Sequence, residues 1–342
     1  MIEILSAGLF TTVQDEGRWG YQAFGMPVAG CMDRYACRVA NILAGNPPEA
    51  ACLEMTLTGD SLQFHQDAFV AVTGADMQGT LNGEPVANWS AFAVPAGSVL
   101  TFGYAQEGCR GYLAVNGGID VPKVLGSRAT YTRAAVGGVE GRKLRADDRL
   151  KIGGEARLAG AACSLPPEYK PSYGGSVTLR VLPGPQDDLF EPDGLTTLFN
   201  SGYTITNEAD RMGYRLDGAV IKHKGKADIV SDALCQGAIQ VPGHGMPIVM
   251  MADRATTGGY TKIGTVIGPD LTLMAQAKPG DTVSFRQCSD EGAVEALKFE
   301  RERYAAIEAW RADAGKPPAG EVRSFWMTVN GQTYSIEISE ER

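Results

Sequence analysis

The stretch Gln240-Val-Pro-Gly-His-Gly-Met-Pro-Ile-Val-Met-Met-Ala-Asp-Arg-Ala-Thr-Thr-Gly-Gly-Tyr260 indicates most about the fold. Its apolar run from Pro247 to Ala252 has the length of a buried strand and ends abruptly in charged, hydroxyl and glycine residues. Such a strand would present Asp253 as a candidate base and Arg254 as a candidate fixed cation. Thr256 to Gly259 could direct successive backbone N–H groups at an anion, because glycine permits positive φ. A tight β-turn capped by the aspartate explains the same residues.

A weaker copy of this pattern in the first half indicates two related lobes. Val13-Gln-Asp-Glu-Gly-Arg-Trp-Gly-Tyr21 matches Ile205-Thr-Asn-Glu-Ala-Asp-Arg-Met-Gly-Tyr214 with one residue inserted, and Glu54 matches Gln240 in the same order. Paired lobes commonly form a site in the cleft between them. The side chains that such a cleft would collect are Arg18, Tyr21, Arg211, Gln240, Asp253 and Arg254. Arg211 fits a surface salt bridge equally well.

The remaining patterns predict a mainly β chain with a few helices. Asp33 and Gly45 bracket an apolar-faced helix, Asn82-Gly83 is a strong hairpin signal, and the glycine- and proline-rich residues 153–176 resemble a linker. Asn116-Gly-Gly118 is a second candidate polar loop, or simply a hairpin turn. The predicted divisions are a β lobe at 1–160, a second β lobe at 175–288, and a C-terminal extension at 291–342 with an amphipathic helix and a β-hairpin.

Composition narrows the class of protein. The 342 residues carry a net charge of -9, without the clustered basic residues that nucleic-acid binding requires. Seven cysteines with no Cys-x-x-Cys pair predict reduced thiols and no metal site. The chain contains no apolar run of the ~18 residues that span a membrane. We therefore expect a cytoplasmic protein that binds neither nucleic acid nor membrane.

Several of these segments together resemble one family, the biotin-dependent carboxyltransferases, which include allophanate hydrolase subunit 2, KipA and the C-type subunit of 5-oxoprolinase. The resemblance rests on the stretch 240–260 and on four further motifs. These are Thr12-Val-Gln-Asp-Glu-Gly-Arg-Trp-Gly-Tyr21, Leu113-Ala-Val-Asn-Gly-Gly-Ile119, Gly126-Ser-Arg-Ala-Thr-Tyr131 and Asp210-Arg-Met-Gly-Tyr214. It extends over residues 1 to about 288 and implies cyclophilin-like barrels.

The resemblance also implies a site and partners. It favours Asp253, Arg254, Gln240, Arg18 and Tyr21 as catalytic residues. It places substrate against Thr256, Thr257, Gly258, Gly259, Tyr260, Arg211 and Asn116. A chain of this kind resembles half of a two-part unit, so the expected partner is a KipI-like protein (allophanate hydrolase subunit 1 type), with a LamB-like subunit or a biotin carboxylase and carrier. No cofactor is expected to bind tightly to this chain, and ATP or carboxybiotin would enter at the level of the complex.

Three functions fit that resemblance. One is ATP-dependent opening of 5-oxoproline as a C-type subunit of 5-oxoprolinase, which a free-standing chain of this length favours. Another is transfer of a carboxyl group from carboxybiotin to urea or a related amide, which the C-terminal hairpin favours because it resembles the start of a biotinyl carrier. No Met-Lys-Met biotinylation motif follows that hairpin. The third is a KipA-like regulator that binds a KipI-like inhibitor.

Overall fold

The structure, a computed structural model, describes residues 1–154, 161–314, 323–329 and 332–338. Strands and a few helices dominate it, which confirms the predicted mainly β class. The helices are α1 (Arg34–Ala44), α2 (Gly194–Asn200), α3 (Leu271–Gln276) and α4 (Asp290–Ala314). Within the described residues, no helix is long and apolar enough to cross a bilayer.

The first lobe consists of two β-sheets that enclose an apolar core. Its strands are β1 (Ile2–Ser6), β2 (Phe10–Gln14), β3 (Cys52–Thr56), β4 (Ser61–Phe64), β5 (Ala68–Asp76), β6 (Thr80–Leu81), β7 (Glu84–Pro85), β8 (Ser90–Val94), β9 (Val99–Thr101), β10 (Glu107–Val115), β11 (Ile119–Asp120), β12 (Arg149–Ile152) and β13 (Cys163–Ser164). The sheet orders are β11-β12-β1-β4-β9-β6-β7 and β13-β8-β5-β10-β3-β2. Alternate side chains of β3 and β10, such as Leu53 and Leu113, lie in the core between the sheets.

The second lobe contains a closed barrel. Its strands are β14 (Ser176–Pro183), β15 (Gly202–Ile205), β16 (Gly213–Gly218), β17 (Asp228–Ala233), β18 (Ala238–Val241), β19 (Ile248–Met250), β20 (Thr257–Val266) and β21 (Thr282–Gln287). The order is β14-β21-β15-β16-β19-β18-β20-β17, and β14 also pairs with β20, so seven strands close on themselves and β17 lies outside. The predicted strand inside Pro247 to Ala252 is confirmed as β19. The internal duplication of the two lobes stays a prediction.

Helix α1, which the sequence predicts between Asp33 and Gly45, covers the outer face of the second sheet of the first lobe. The Asp33 carboxylate caps its N-terminus by accepting from the Ala36 N–H at 3.0 Å, and Gly45 ends it in the left-handed conformation. Its buried side chains pack with Phe69, Tyr112 and the aromatic ring of Trp89. The buried Asp33 carboxylate also accepts from the Gln276 side chain of the second lobe at 2.8 Å, so the N-terminal end of α1 lies at the contact between the lobes.

Helix α4 packs on its own chain, as its amphipathic pattern predicts, with Ala293 and Ala296 against Ile267 of the second lobe and its later turns against the first lobe. Tyr304 and Ile307 are buried against α1, and the Arg311 Nε donates to the Leu43 carbonyl at 3.0 Å. Val294 and Leu297, which the sequence places on the same face, are 49% and 41% exposed. Beyond it, β22 (Arg323–Val329) and β23 (Gln332–Ile338) form the predicted hairpin, with Val329 opposite Gln332. The predicted turn at Asn330-Gly331 lies outside the described residues.

Candidate functional site: a buried arginine and carboxylate cluster between the lobes

Arg211 lies at the centre of a cluster of charges that joins the two lobes. Its Nε and Nη2 donate to the Asp253 carboxylate at 3.0 and 2.9 Å, and its Nη1 donates to Glu54 of β3. Arg110 of β10 lies 3.9 Å from the same Glu54 oxygen. Two arginines therefore balance two carboxylates in a region that excludes water. The prediction that Arg211 and Asp253 lie together at the contact between the lobes agrees with this geometry, and the surface salt bridge is excluded.

The carboxylate of Glu54 is held from three directions. Its Oε2 accepts from the Met32 N–H and from the Tyr112 hydroxyl, both at 2.8 Å, while its Oε1 accepts from Arg211. Burial opposes the positive charge of Arg211, but Asp253 and Glu54 more than offset that cost and raise its pKa above the ordinary range. Burial raises the pKa of Asp253, and the adjacent Arg211 partly counteracts that rise. The cluster thus keeps the guanidinium charged and makes Asp253 more basic than a solvated aspartate.

Arg18 is the least satisfied charged group near this cluster. Its side chain is 1% exposed, its Nη2 donates to the Ala129 carbonyl, and its Nε and Nη1 find no hydrogen-bond partner among the described residues. Burial lowers its pKa, and the nearby charges of Asp15 and Asp253 oppose that shift. Buried donors are normally paired, so two unpaired nitrogens on one guanidinium mark a place where a ligand or water completes the hydrogen bonding.

The stretch from Thr256 to Tyr260 does not form the predicted nest of N–H groups. Thr257 begins β20, Gly258 and Gly259 do not have positive φ, and the segment pairs with β17, with Thr257 opposite Ala233. The alternative, a tight β-turn capped by the aspartate, is confirmed in its turn, because the Arg254 N–H donates to the Met251 carbonyl at 3.3 Å, but the Asp253 carboxylate bonds Arg211 and does not cap that turn. The expectation of an anion-binding turn at Thr256 to Gly259 is wrong. The reason is the partner strand, which takes the backbone groups that a turn would have left free.

Gln240 lies beside this strand and defines a second polar group at the same end of the barrel. Its Nε2 approaches the Tyr260 carbonyl at 3.5 Å, and a Cβ on Gly258 would lie 2.6 Å from that nitrogen. Lys262, which is opposite Gln240 on β20, is buried and donates to Asp232 at 2.7 Å. A Cβ at Gly258 would crowd the Gln240 amide and the Leu234 side chain, so the glycine leaves room for these side chains and does not form a turn. The role in substrate binding predicted for Thr256, Thr257, Gly258, Gly259 and Tyr260 stays a prediction.

Within the part of the chain that the structure describes, the Arg254 side chain bonds two backbone carbonyls and not the neighbouring Asp253. Its Nε donates to the Leu234 carbonyl at 3.2 Å and its Nη1 to the Met251 carbonyl at 3.4 Å. Burial lowers its pKa to about 10, with Cys235 opposing the shift and Arg34 adding to it, so the side chain is charged at neutral pH.

Arg34 lines a cavity of about 290 Å³ between the lobes and α4, together with Asp15, Glu16, Trp19, Arg38, Glu300 and Tyr304.

The last two predicted site residues are placed differently. Tyr21 is half-buried, and its backbone carbonyl accepts from the N–H groups of Phe24 and Met26. Asn116 donates its side-chain N–H to the carbonyl of Ala44 at the C-terminal end of α1, at 2.8 Å. That end lies about 15 Å along the helix from Arg34, the residue on the cavity wall. Asn116 therefore supports α1 within a turn between β10 and β11, and the geometry does not bring it to the cluster.

Sequence reasoning missed the residues that hold the cluster together. Gln276 accepts from the N–H groups of Cys109 and Arg110 at 2.9 Å and donates to the Arg110 carbonyl at 2.9 Å and to Asp33 at 2.8 Å, which ties α3 to both β10 and α1. Arg110 and Tyr112 were likewise not predicted. The one available signal was polar residues inside an otherwise apolar strand, since Arg110 and Tyr112 interrupt β10.

Comparison with known proteins places the chain in a family. The carboxyltransferase domain family, subdomains A and B, matches residues 24–287. The C-type subunit of 5-oxoprolinase from Escherichia coli is 39% identical over 313 residues, which are 91% of this chain and 98% of that protein. The urea amidolyase of Saccharomyces cerevisiae is 32% identical over 311 residues, 85% of this chain but 17% of the yeast protein.

A solved structure agrees with the sequence comparisons. The urea amidolyase of K. lactis superposes with a TM-score of 0.85 at 30% identity, over 90% of this chain and 20% of that one. This chain therefore spans about a fifth of that multidomain protein. The resemblance inferred from the motifs at residues 12–21, 113–119, 126–131, 210–214 and 240–260 is confirmed. The chain belongs to the carboxyltransferase domain family, subdomains A and B.

Proposed function

We propose that this chain is the C-type subunit of a 5-oxoprolinase, in which it takes part in the ATP-dependent opening of 5-oxoproline to glutamate. The observation that carries the proposal is the match over almost the entire length of the E. coli 5-oxoprolinase C-type subunit, 98% of that protein at 39% identity. The yeast urea amidolyases match over 17% and 18% of their lengths, where the same domain is one piece of a longer chain.

A protein that corresponds to one subunit needs the others. The proposed partners are a KipI-like subunit and a LamB-like subunit, and the chain is expected to be inactive without them. Its location in the cytoplasm stays a prediction. The buried charges between the two lobes are already held in fixed positions. We infer that they form half of a site that a partner completes, because fixed side chains lower the free-energy cost of ordering a site when the complex assembles.

The reaction requires two kinds of group from the protein. Opening a lactam needs a group that accepts or steers the amide N–H and donors for the negative charge that develops on oxygen. Asp253, with its raised pKa, suits the first task. The unpaired Nε and Nη1 of Arg18 suit the second, since each can donate a charge-assisted hydrogen bond to a developing negative charge. Arg211 would then act as a positioning residue for Asp253.

No cofactor is proposed to bind tightly to this chain. The unpaired nitrogens of Arg18 would hold an anionic group, such as the carboxylate of 5-oxoproline or a phosphate of ATP. ATP would supply the free energy of phosphoryl transfer to the assembled enzyme. The contribution of this chain would be to bind and orient the substrate and to move a proton at the Asp253 carboxylate.

The second candidate function is transfer of a carboxyl group from carboxybiotin to urea or another amide. It is favoured by the similarity to K. lactis urea amidolyase, with a TM-score of 0.85. The same donors would then hold a carbamate. If the chain binds a KipI-like protein and the complex turns over neither 5-oxoproline nor urea, the result would indicate a KipA-like regulatory role.

A reconstitution experiment tests the proposal. The chain is co-expressed with the KipI-like and LamB-like proteins from the same organism, and glutamate formation from 5-oxoproline and ATP is measured for the complete complex and for complexes that lack each subunit. We expect glutamate only when all subunits are present. Full activity without this chain, or a complete complex that turns over urea and not 5-oxoproline, would contradict the proposal.

A further inference from the structure

Three cysteines meet beside the cavity between the lobes, and two of them line it. Cys31 and Cys37 are joined as a disulfide with their Cα atoms 6.4 Å apart, and the Cys52 Sγ lies 3.4 Å from the Cys37 Sγ. The three sulfur atoms all lie within 4.8 Å of one another. This overturns the expectation that the cysteines are all reduced. A third thiol in contact with a disulfide sulfur is within reach for thiol–disulfide exchange, which begins when a thiolate attacks such a sulfur.

The disulfide secures the segment of residues 30–33, which is bonded to the charged cluster. The carbonyl of Gly30 accepts from Arg211 at 2.6 Å, and the Met32 N–H donates to Glu54 at 2.8 Å. Cys31 lies between these two contacts, and its partner Cys37 is the fourth residue of α1. The covalent bond therefore links the backbone that contacts Arg211 and Glu54 directly to a buried helix.

Both bridged cysteines face a space that a small molecule can enter. Cys31 and Cys37 line the cavity of about 290 Å³ described above, although each is almost fully buried from bulk solvent. Cys52 is behind them in β3 and does not line that cavity. Burial raises the pKa of the Cys52 thiol well above its usual range, and Glu54 and Asp15 raise it further. Cys52 is thus a protonated thiol at neutral pH, which leaves Cys31–Cys37 as the resting bridge.

We propose that Cys31, Cys37 and Cys52 form a thiol–disulfide exchange site that reacts with small-molecule thiols and controls how firmly residues 30–33 hold the Arg211 and Glu54 cluster. A thiolate entering the cavity attacks the Cys31 sulfur, and the bond to Cys37 breaks, which gives a mixed disulfide and a Cys37 thiolate. A second thiolate attacks the mixed disulfide and releases a small-molecule disulfide and a Cys31 thiolate. The two protons lost by the two small thiols return to Cys31 and Cys37, so the protein gains two electrons and two protons.

Cys52 provides an alternative bridge without any external reagent. On losing its proton, it can attack the Cys37 sulfur and displace the Cys31 thiolate, which takes up that proton. The product bridges β3 to α1 and leaves residues 30–33 joined to neither. The proposal therefore predicts two chemically distinct oxidised forms, and only the Cys31–Cys37 form secures the segment.

Redox titration of the full chain tests the chemistry without any enzymatic assay. The protein is equilibrated in glutathione buffers from fully oxidised to fully reduced, the free thiols are alkylated, and peptides are mapped by mass spectrometry. We expect the Cys31–Cys37 bridge at the oxidised end and both residues alkylated at the reduced end. Cys31→Ala is expected to form a Cys37–Cys52 bridge under oxidising conditions. Cys235→Ser, which alters an exposed free cysteine, is the matched control and should leave the titration unchanged.

Hydrogen–deuterium exchange then tests the consequence for the site. We expect backbone exchange over residues 28–34 to be roughly tenfold faster in the reduced protein than in the oxidised protein, since a lost cross-link frees the segment. Three results would overturn the proposal. They are complete alkylation of Cys31 and Cys37 even in oxidised glutathione, bridging with unchanged exchange at 28–34, or retention of stoichiometric zinc by all three cysteines in place of a bridge. Any effect on turnover rests in addition on the proposed function, which these measurements do not use.

Discussion

Removing the central guanidinium should expose the energetics of the cluster. In Arg211→Met, the apolar part of the side chain is kept, while four hydrogen bonds, to Asp253, Glu54 and Gly30, are lost. Glu54 retains the Tyr112 hydroxyl and the Met32 N–H, but Asp253 loses its only charged hydrogen-bond partner among the described residues. Removing one member of a buried ion pair typically costs about 3 to 5 kcal/mol. We expect the free energy of unfolding to fall by about that amount at neutral pH.

The loss should depend on pH in a defined direction. Burial already raises the Asp253 pKa in the native state, and without Arg211 it should rise further. A carboxyl whose folded pKa exceeds its unfolded value destabilises the fold as pH rises from the unfolded pKa, about 4, through the folded pKa. The deficit of Arg211→Met should therefore be smaller at pH 5 than at pH 7.5, and adding Asp253→Asn should recover part of it.

Urea denaturation followed by circular dichroism measures these differences. The matched control is Arg215→Met, four residues away, which breaks an exposed pair with Glu208 at 3.1 Å and should cost at most about 1 kcal/mol. A loss below about 1 kcal/mol for Arg211→Met, or a deficit that grows toward pH 5, would refute the view of the cluster as a balanced buried array.

Individual contacts elsewhere in the chain give three further predictions. Gly258→Ala should destabilise the protein by roughly 1 to 3 kcal/mol because its Cβ would lie 2.6 Å from the Gln240 Nε2, whereas Gly259→Ala, with its nearest atom at 3.6 Å, should cost less than about 1 kcal/mol; equal urea midpoints would contradict this. Ile307→Ala should cost about 2 to 5 kcal/mol, since the side chain is fully buried between α4 and α1, and a thermal melt that matches wild type would disprove that packing. Arg18→Met should lower kcat/KM of the assembled enzyme roughly 10- to 150-fold, the effect of losing about 1.5 to 3 kcal/mol, with little loss of stability because two of its three nitrogens are unpaired; unchanged turnover would remove Arg18 from the site.

Local signals in the sequence predicted the elements that depend on neighbours along the chain. Asp33 and Gly45 bracket α1 because a cap acts on N–H and carbonyl groups within one turn. The apolar run from Pro247 to Ala252 predicted β19 because its length and ending need no knowledge of distant residues. The mainly β class followed from many such short runs.

The predictions failed where a distant partner decides the structure. Gly258 and Gly259 have the composition of a turn, but pairing with β17 keeps them extended. Arg211 was predicted at the site, while its partner Glu54, 157 residues earlier, was noticed only as a match to Gln240. Nothing in a single sequence indicates which carboxylate a buried arginine meets. Family resemblance supplied Arg18 and Tyr21 as candidates, but only the structure shows that the Nε and Nη1 of Arg18 have no hydrogen-bond partner among the described residues.

The central claim is that this chain works on 5-oxoproline as part of a 5-oxoprolinase. The most direct measurement compares ATP hydrolysis by one preparation of the assembled complex with 5-oxoproline and with urea, each in the presence and absence of avidin. We predict that ATP hydrolysis depends on 5-oxoproline, is unaffected by avidin and is accompanied by one glutamate for each 5-oxoproline consumed. Hydrolysis that depends on urea and is abolished by avidin would contradict the claim and identify a biotin-dependent carboxyltransferase.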